Sequence, residues 1–172
     1  MKKLILVAVL LAFAGPLLAQ KKYSQMGVRF KVPSGWKVGN EQPDKNAIYY
    51  SAEKEGDLES GLVSFVIIGR EFDLNSFLVL CMQNIENSAG MNEGTEFTWG
   101  KDTTDVKVGD FTARKVDYTV AYDKLPFSGS VLVFKGCGNM IMINPQGATE
   151  DEPKNRKGFE TILKTVKCKS NQ

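Results

Sequence analysis

The chain of 172 residues contains no histidine. That absence removes the usual general base near neutral pH and the commonest imidazole ligand for zinc and copper. Ser-His-Asp and Cys-His catalytic arrangements are excluded with it, as is every metal site that uses His. Cysteine is scarce: Cys81, Cys137 and Cys168 are the three in the chain, and no Cys-x-x-Cys pair occurs. A thiolate metal site or a dithiol redox centre therefore lacks its sequence basis. Charge of one sign is not in surplus either. The 22 basic residues stand against 20 acidic ones, and Lys2 and Lys3 account for the whole difference. Without a basic face, binding driven by phosphate neutralisation of nucleic acid is not expected.

Long apolar runs are missing as well. Leu4 to Ala14 (LILVAVLLAFA) is the longest of them, and a membrane span needs roughly twenty apolar residues. Preceded by Lys2-Lys3, broken by Gly15-Pro16 and closed by the small residue Ala19, the stretch reads as an export signal over residues 1–19. No cysteine follows it, so lipid modification of the bacterial lipoprotein kind is not available. The expected mature chain, residues 20–172, is periplasmic or secreted, carries balanced charge and has no membrane span. It is long enough to form a single domain without a metal or disulfide to hold it together.

What is present is strand pattern with two interruptions. Val28 to Val32 alternates apolar and basic residues, the period-two signature of a half-buried strand. Pro33-Ser34-Gly35 turns the chain into Trp36. Asn46 to Ala52 and Leu62 to Gly69 read as further strands, the second nearly continuous in apolar residues and so expected to be interior. Between Asp73 and Gly90 the period changes: Leu74, Phe77, Leu78, Cys81 and Ile85 form one face of an amphipathic helix, with Asp73 as N-cap and Gly90 as the stop. Strand pattern returns at Thr95 to Lys101, Phe111 to Tyr122, Ser130 to Lys135 and Asn139 to Asn144. The last two are joined by Gly136-Cys137-Gly138, a hairpin signal. Pro153 to Lys167 closes the chain with a second amphipathic helix. Gly158 inside it costs up to about 1 kcal/mol relative to Ala. Short turns between strands predict a mostly antiparallel sheet, flanked by the two helices in a layered α+β arrangement.

Topology predicts a disulfide. Cys137 sits at the tip of the last hairpin; a helix returning from the far end of the following strand finishes near that tip, and Cys168 follows it immediately. Cys137 and Cys168 are the expected pair, leaving Cys81 as a buried free thiol on the first helix. No catalytic, cofactor-binding or metal-binding residue is assigned. Asp102, Asp105 and Asp110 lack the alternation, central Gly and closing Glu of a calcium loop and read as a solvated hairpin turn. Gly136-Cys137-Gly138 lacks the further Gly and following helix of a phosphate loop. Glu150, Asp151 and Glu152, before Lys154, Arg156 and Lys157, read as a solvated helix start. Trp36, Tyr49, Tyr50, Trp99, Tyr118 and Tyr122 are packing material or the lining of a groove. Tyr49 and Tyr50, being adjacent, must face opposite sides of a strand.

Two motifs bracket the mature chain. Phe30-Lys31-Val32-Pro33-Ser34-Gly35-Trp36 resembles the F-x-x-P-x-G-W opening of PsbP-like and DcrB-like proteins. Phe159-Glu160-Thr161-Ile162-Leu163-Lys164-Thr165 resembles the F-x-x-I-L-x-S helix that closes them, with Thr165 in place of Ser. The resemblance implies an antiparallel sheet flanked by helices in a small exported protein that assists a larger complex. Metal-binding proposals for photosynthetic members involve histidines, which this chain lacks, so no cofactor is carried over. The expected function is that of a non-enzymatic accessory or binding protein of the bacterial cell envelope. Its partner would be an envelope protein or a small ligand. The alternative is a carrier of a small apolar or amphipathic ligand, held between sheet and helix.

Overall fold

The computed structural model describes residues 21–44, 46–56, 61–90, 95–122 and 124–169; the expected export signal lies outside them. Strand β1 (Lys21–Gln25) turns through Met26 and Gly27 into β2 (Val28–Val32). Strands β3 (Trp36–Asp44), β4 (Ala47–Lys54) and β5 (Leu62–Ile68) lead to helix α1 (Leu74–Ala89). Four longer strands follow: β6 (Glu96–Val108), β7 (Phe111–Tyr122), β8 (Leu125–Gly136) and β9 (Asn139–Ala148). A 3-10 turn at Thr149–Asp151, helix α2 (Glu152–Lys164) and the two-residue β10 (Lys167–Cys168) complete the described chain.

Helix α1 and most strands are where the periodicity puts them. Strand β3, an edge strand whose register shifts between Gly39 and Gln42, shows no strand pattern in the sequence; the closing helix ends at Lys164 rather than Lys167; and the expected single sheet is two. Seven strands pair antiparallel in the order β3-β4-β5-β9-β8-β7-β6, and β1-β2-β10 form a second, three-stranded sheet. The short charged segment Lys21–Gln25 and the dipeptide Lys167–Cys168 carry no period that announces a strand. They become strands because β2 offers an edge on each side. The interior position expected for Leu62 to Gly69 holds, with β5 paired to β4 and β9. A further correction concerns the acids. Asp102 and Asp105 lie on β6, which runs unbroken to Val108, and Asp110 is in the turn that follows. Gly109 in that turn has φ +54 and lies so close to the Val166 carbonyl that no side chain fits there.

Strands β8 and β9 are apolar on both sides because the large sheet is covered on both. Leu132, Phe134, Ile141 and Ile143 face one core, whereas Val131, Val133, Met140 and Met142 face the other. The first core lies beneath β2 and α2. There Phe30 stacks on Phe65 with ring centroids 4.5 Å apart, and Tyr50 stacks on Phe65 at 4.7 Å. The second core lies beneath α1, which inserts Phe77, Leu78 and Cys81 as its apolar stripe requires. Asp73 caps α1 by accepting from the Ser76 N–H at 2.9 Å, and that bond holds its carboxyl below the ordinary range. Gly90 ends the helix with φ −71, in right-handed rather than left-handed backbone.

The two family-like motifs meet in space. Trp36 packs edge-on against Phe159 at 5.6 Å, and its indole lies where a Cβ on residue 158 would have to go. Gly158, a weakness by helix propensity alone, is thus the position that lets α2 seat on Trp36. The charged start of α2 is largely self-neutralised, with Arg156 on Glu152 at 2.9 Å and Lys154 on Asp151 at 2.9 Å. Asp151, however, is buried rather than solvated.

The expected cysteine geometry is present. Cys137 and Cys168 stand at disulfide distance, with their Cα atoms 5.3 Å apart. Cys137 and Gly138 both take positive φ (55 and 75), a two-residue turn whose hand suits a hairpin; Met26 and Gly27 (45 and 77) repeat it between β1 and β2. Asn139 ties the two turns together, its Nδ2 donating to the carbonyls of Met26 at 2.9 Å and Cys137 at 2.8 Å. The cysteine pair therefore joins the large sheet to the small one.

Candidate functional site: a neutral cleft between helix and sheet

The large sheet's second face changes character along its strands. On β9, Met140 and Met142 pack beneath α1 and are followed, on the same side, by Asn144 and Gln146. On β5, Val66 gives way to Ser64, and on β4 the same face presents Tyr49. On β7, Tyr118 and Tyr122 follow Val116. Where the polar side chains begin, a cleft of about 420 Å³ opens between the sheet and the last turns of α1. Asn84, Ile85, Ser88 and Ala89 form the helix wall; Phe97, Val120 and Phe127 form apolar sheet wall.

The floor is a hydrogen-bonded polar group. The Tyr118 hydroxyl lies 2.9 Å from Asn144 Oδ1 and 2.7 Å from Gln146 Oε1. A phenol has one proton to donate, so one of the two amides turns its NH2 toward the Tyr118 oxygen. Each amide keeps further hydrogen-bonding capacity for something else. Beside them the Tyr49 hydroxyl and Ser64 Oγ are 3.3 Å apart. Phe97, Trp99 and Tyr118 form an aromatic cluster, with centroids 4.9 to 5.4 Å apart, and Trp99 Nε1 donates to Glu86 Oε2 at 3.0 Å.

No Asp, Glu, Lys or Arg is among the described residues that line the cleft. Burial pushes the Tyr118 phenol up to about 12, with the Asn144 hydrogen bond opposing it, so the group is neutral at physiological pH. The lining can offer donors, acceptors and apolar wall. Among the described residues no group of three or more Cys, Asp or Glu is placed to hold a metal ion.

The aromatics singled out in the sequence divide between roles. Trp36 and Tyr50 are core; Tyr49, on the opposite strand face from Tyr50, lines the cleft with Tyr118 and Tyr122; Trp99 buttresses Phe97. Cys81 is buried, and desolvation pushes its thiol up to about 12. The residues missed were Ser64, Asn144 and Gln146. One signal was available: Asn144 ends an otherwise apolar run on an interior strand, where a buried amide needs a partner.

No family model matches the chain, and no curated protein matches it by sequence. Solved structures do resemble it. The cyanobacterial PsbP protein (CyanoP) of Synechocystis sp. PCC 6803 superposes with a TM-score of 0.62 at 11% identity, over 91% of this chain and 96% of that one. LpqN of Mycobacterium tuberculosis, described as involved in cell envelope biogenesis, gives 0.54 at 12% identity, over 91% and 88%. A protein of Bacteroides thetaiotaomicron VPI-5482 gives 0.54 at 13% identity, over 89% of this chain and 50% of the other. The fold is PsbP-like, mostly antiparallel sheet with two helices. Among the described residues no helix is long and apolar enough to cross a membrane.

Proposed function

We propose that this chain is an exported, non-enzymatic accessory protein of the bacterial cell envelope, which acts by binding rather than by turnover. The observation that carries the reading is the neutral cleft, built into a fold shared over nearly the whole chain with LpqN and CyanoP. Acid-base or nucleophilic catalysis needs a group whose protonation can change near working pH, and burial holds the Tyr118 phenol far from that range. In this reading residues 1–19 direct export, residues 20–172 form one layered domain, and Cys137 and Cys168 are oxidised to a disulfide in the compartment that receives them.

A specific observation favours a second reading, that of a small-ligand carrier. The cleft lies between sheet and helix and pairs apolar walls with a floor of amides and hydroxyls. It suits an uncharged amphipathic molecule, with an apolar body against Phe97, Val120 and Phe127 and a hydroxyl or amide toward Asn144 and Gln146. Two measurements separate them. A photo-crosslinking residue at Tyr122 in the native cell should capture an envelope protein if the cleft docks a partner. Native mass spectrometry of protein purified from its own envelope should instead retain a small neutral ligand if it is a carrier. A protein that remains in the cytoplasm would overturn export and both readings with it.

A further inference from the structure

The outward side of the small sheet carries a second constellation, unconnected with the cleft. Alternation on β2 sends Val28, Phe30 and Val32 into the core and leaves Arg29 and Lys31 on the other side. The register then sets Lys22 of β1 directly opposite Lys31, and Lys167 of β10 directly opposite Arg29. Like charges facing each other across a ladder repel. With Lys164, Thr165 and Asp110, these four residues line a hollow of about 310 Å³.

The rest of the surface is arranged otherwise. Lys115 pairs with Asp117 at 2.9 Å, Arg156 with Glu152 at 2.9 Å, and Lys164 with Glu160 at 2.6 Å. Among the described residues, Lys22, Arg29, Lys31 and Lys167 make no ion pair. Arg29 goes further: its Nε is buried without a hydrogen-bond partner. A charged N–H left unpartnered out of solvent is unfavourable. Asp110 is the one acid in the lining, against five basic side chains, of which Lys164 is already paired with Glu160 and the other four, among the described residues, are not. The carbonyl end of α2 also points this way, and Lys164 in its last turn offsets it. Two directly opposed cation pairs around one hollow are a feature that a bound anion would relieve.

We propose that this hollow is a binding site for a phosphate oxyanion, presented as a free ion or as the phosphoester head of a larger molecule. The Arg29 fork and the ammonium groups of Lys22, Lys31 and Lys167 supply charge-assisted donors suited to phosphate oxygens. The volume exceeds that of the ion and leaves room for what the phosphate is attached to.

The test uses the full mature chain at constant ionic strength. Inorganic phosphate, titrated against sodium chloride, should shift the backbone amide resonances of residues 22, 29–31 and 164–167 saturably and raise the melting temperature. Vesicles of phosphatidylglycerol, compared with phosphatidylcholine, form the second arm and distinguish a lipid head from free phosphate. The double variant Arg29→Gln, Lys31→Gln should weaken whichever interaction occurs by about tenfold or more. Without phosphate the same variant should melt at or above the wild type, because it relieves cross-strand repulsion. That rise distinguishes a ligand site from a structural role. Binding to either phosphate probe supports the site. No saturable response to either, an equal response to chloride, equal binding by the variant, or a variant less stable without phosphate would each overturn it. Tyr118→Phe should leave the phosphate response unchanged, so failure of the cleft reading does not affect this one.

Discussion

The two faces of the large sheet are made from the same strands and do different things. Towards the small sheet and α2, Phe30, Tyr50, Phe65, Ile67, Phe134, Ile141 and Ile143 are all buried and the aromatic rings stack. Towards α1 the packing is complete only under Phe77, Leu78 and Cys81, and beyond them the strands present hydroxyls and amides to an open cleft. Neighbouring residues of one strand, such as Phe65 and Val66 or Tyr50 and Tyr49, therefore sit in different surroundings. One face is closed by packing and the other is left partly open as a cleft.

The largest effect should separate adjacent residues. Phe65→Ala should lose about 3–5 kcal/mol in denaturant unfolding, whereas Val66→Ala on the other face should lose about 1.5 kcal/mol or less. Equal losses would break the contrast. Next comes the cysteine pair: in protein purified under oxidising conditions, replacing Cys137 and Cys168 together by Ser should lower stability by about 2–4 kcal/mol. Thiol labelling of the oxidised protein should leave all three cysteines unmodified until it unfolds, when Cys81 alone reacts. Gly158→Ala should be destabilising by about 1–3 kcal/mol, because overpacking against Trp36 outweighs the gain of about 1 kcal/mol in helix propensity. A stabilised variant would mean that Trp36 moves aside freely.

The smallest stability effect belongs to the cleft. Tyr118→Phe should lose about 0.5–1.5 kcal/mol near neutral pH. Its pH signature is sharper. The folded phenol titrates near 12 and an unfolded one near 10. Above pH 10 the unfolded chain binds fewer protons than the folded chain, so stability falls as pH rises towards 12. Burial raises Tyr50 as well, so wild type should lose stability steeply in that window. Tyr118→Phe should lose it less steeply; parallel curves would remove Tyr118 from the buried set.

Helix α1, strand β7, the Cys137–Cys168 proximity and the split between Tyr49 and Tyr50 were legible because each depends on period or on the reach of one connection; β6 and β8 were legible only in their apolar halves, since their polar halves carry no alternation. The family-like motifs were legible as words, and their meaning, Trp36 seated on Gly158 and Phe159, was not. Strands β1 and β10 left no mark because two short charged or polar segments pair only when β2 lies between them. The cleft was not placed by the sequence: a pocket between sheet and helix belonged only to the alternative carrier reading, and none of Ser64, Asn144 and Gln146 was singled out for it. Its sheet-borne amides and hydroxyls come from β4, β5, β7 and β9, whose alignment is a property of register. The basic hollow was hidden for the same reason: Lys22, Lys31 and Lys167 look dispersed until one strand brings both ends of the chain to its edges.

That last arrangement bears on how the small sheet can form. One edge of β2 is filled by its sequence neighbour β1, and the other by Lys167 and Cys168, far along the chain from it. A hairpin alone is marginal in water, so β1 and β2 depend for their seat on a contact of long sequence separation, the kind whose loop closure slows folding. The small sheet closes like a clasp rather than winding up from a local hairpin.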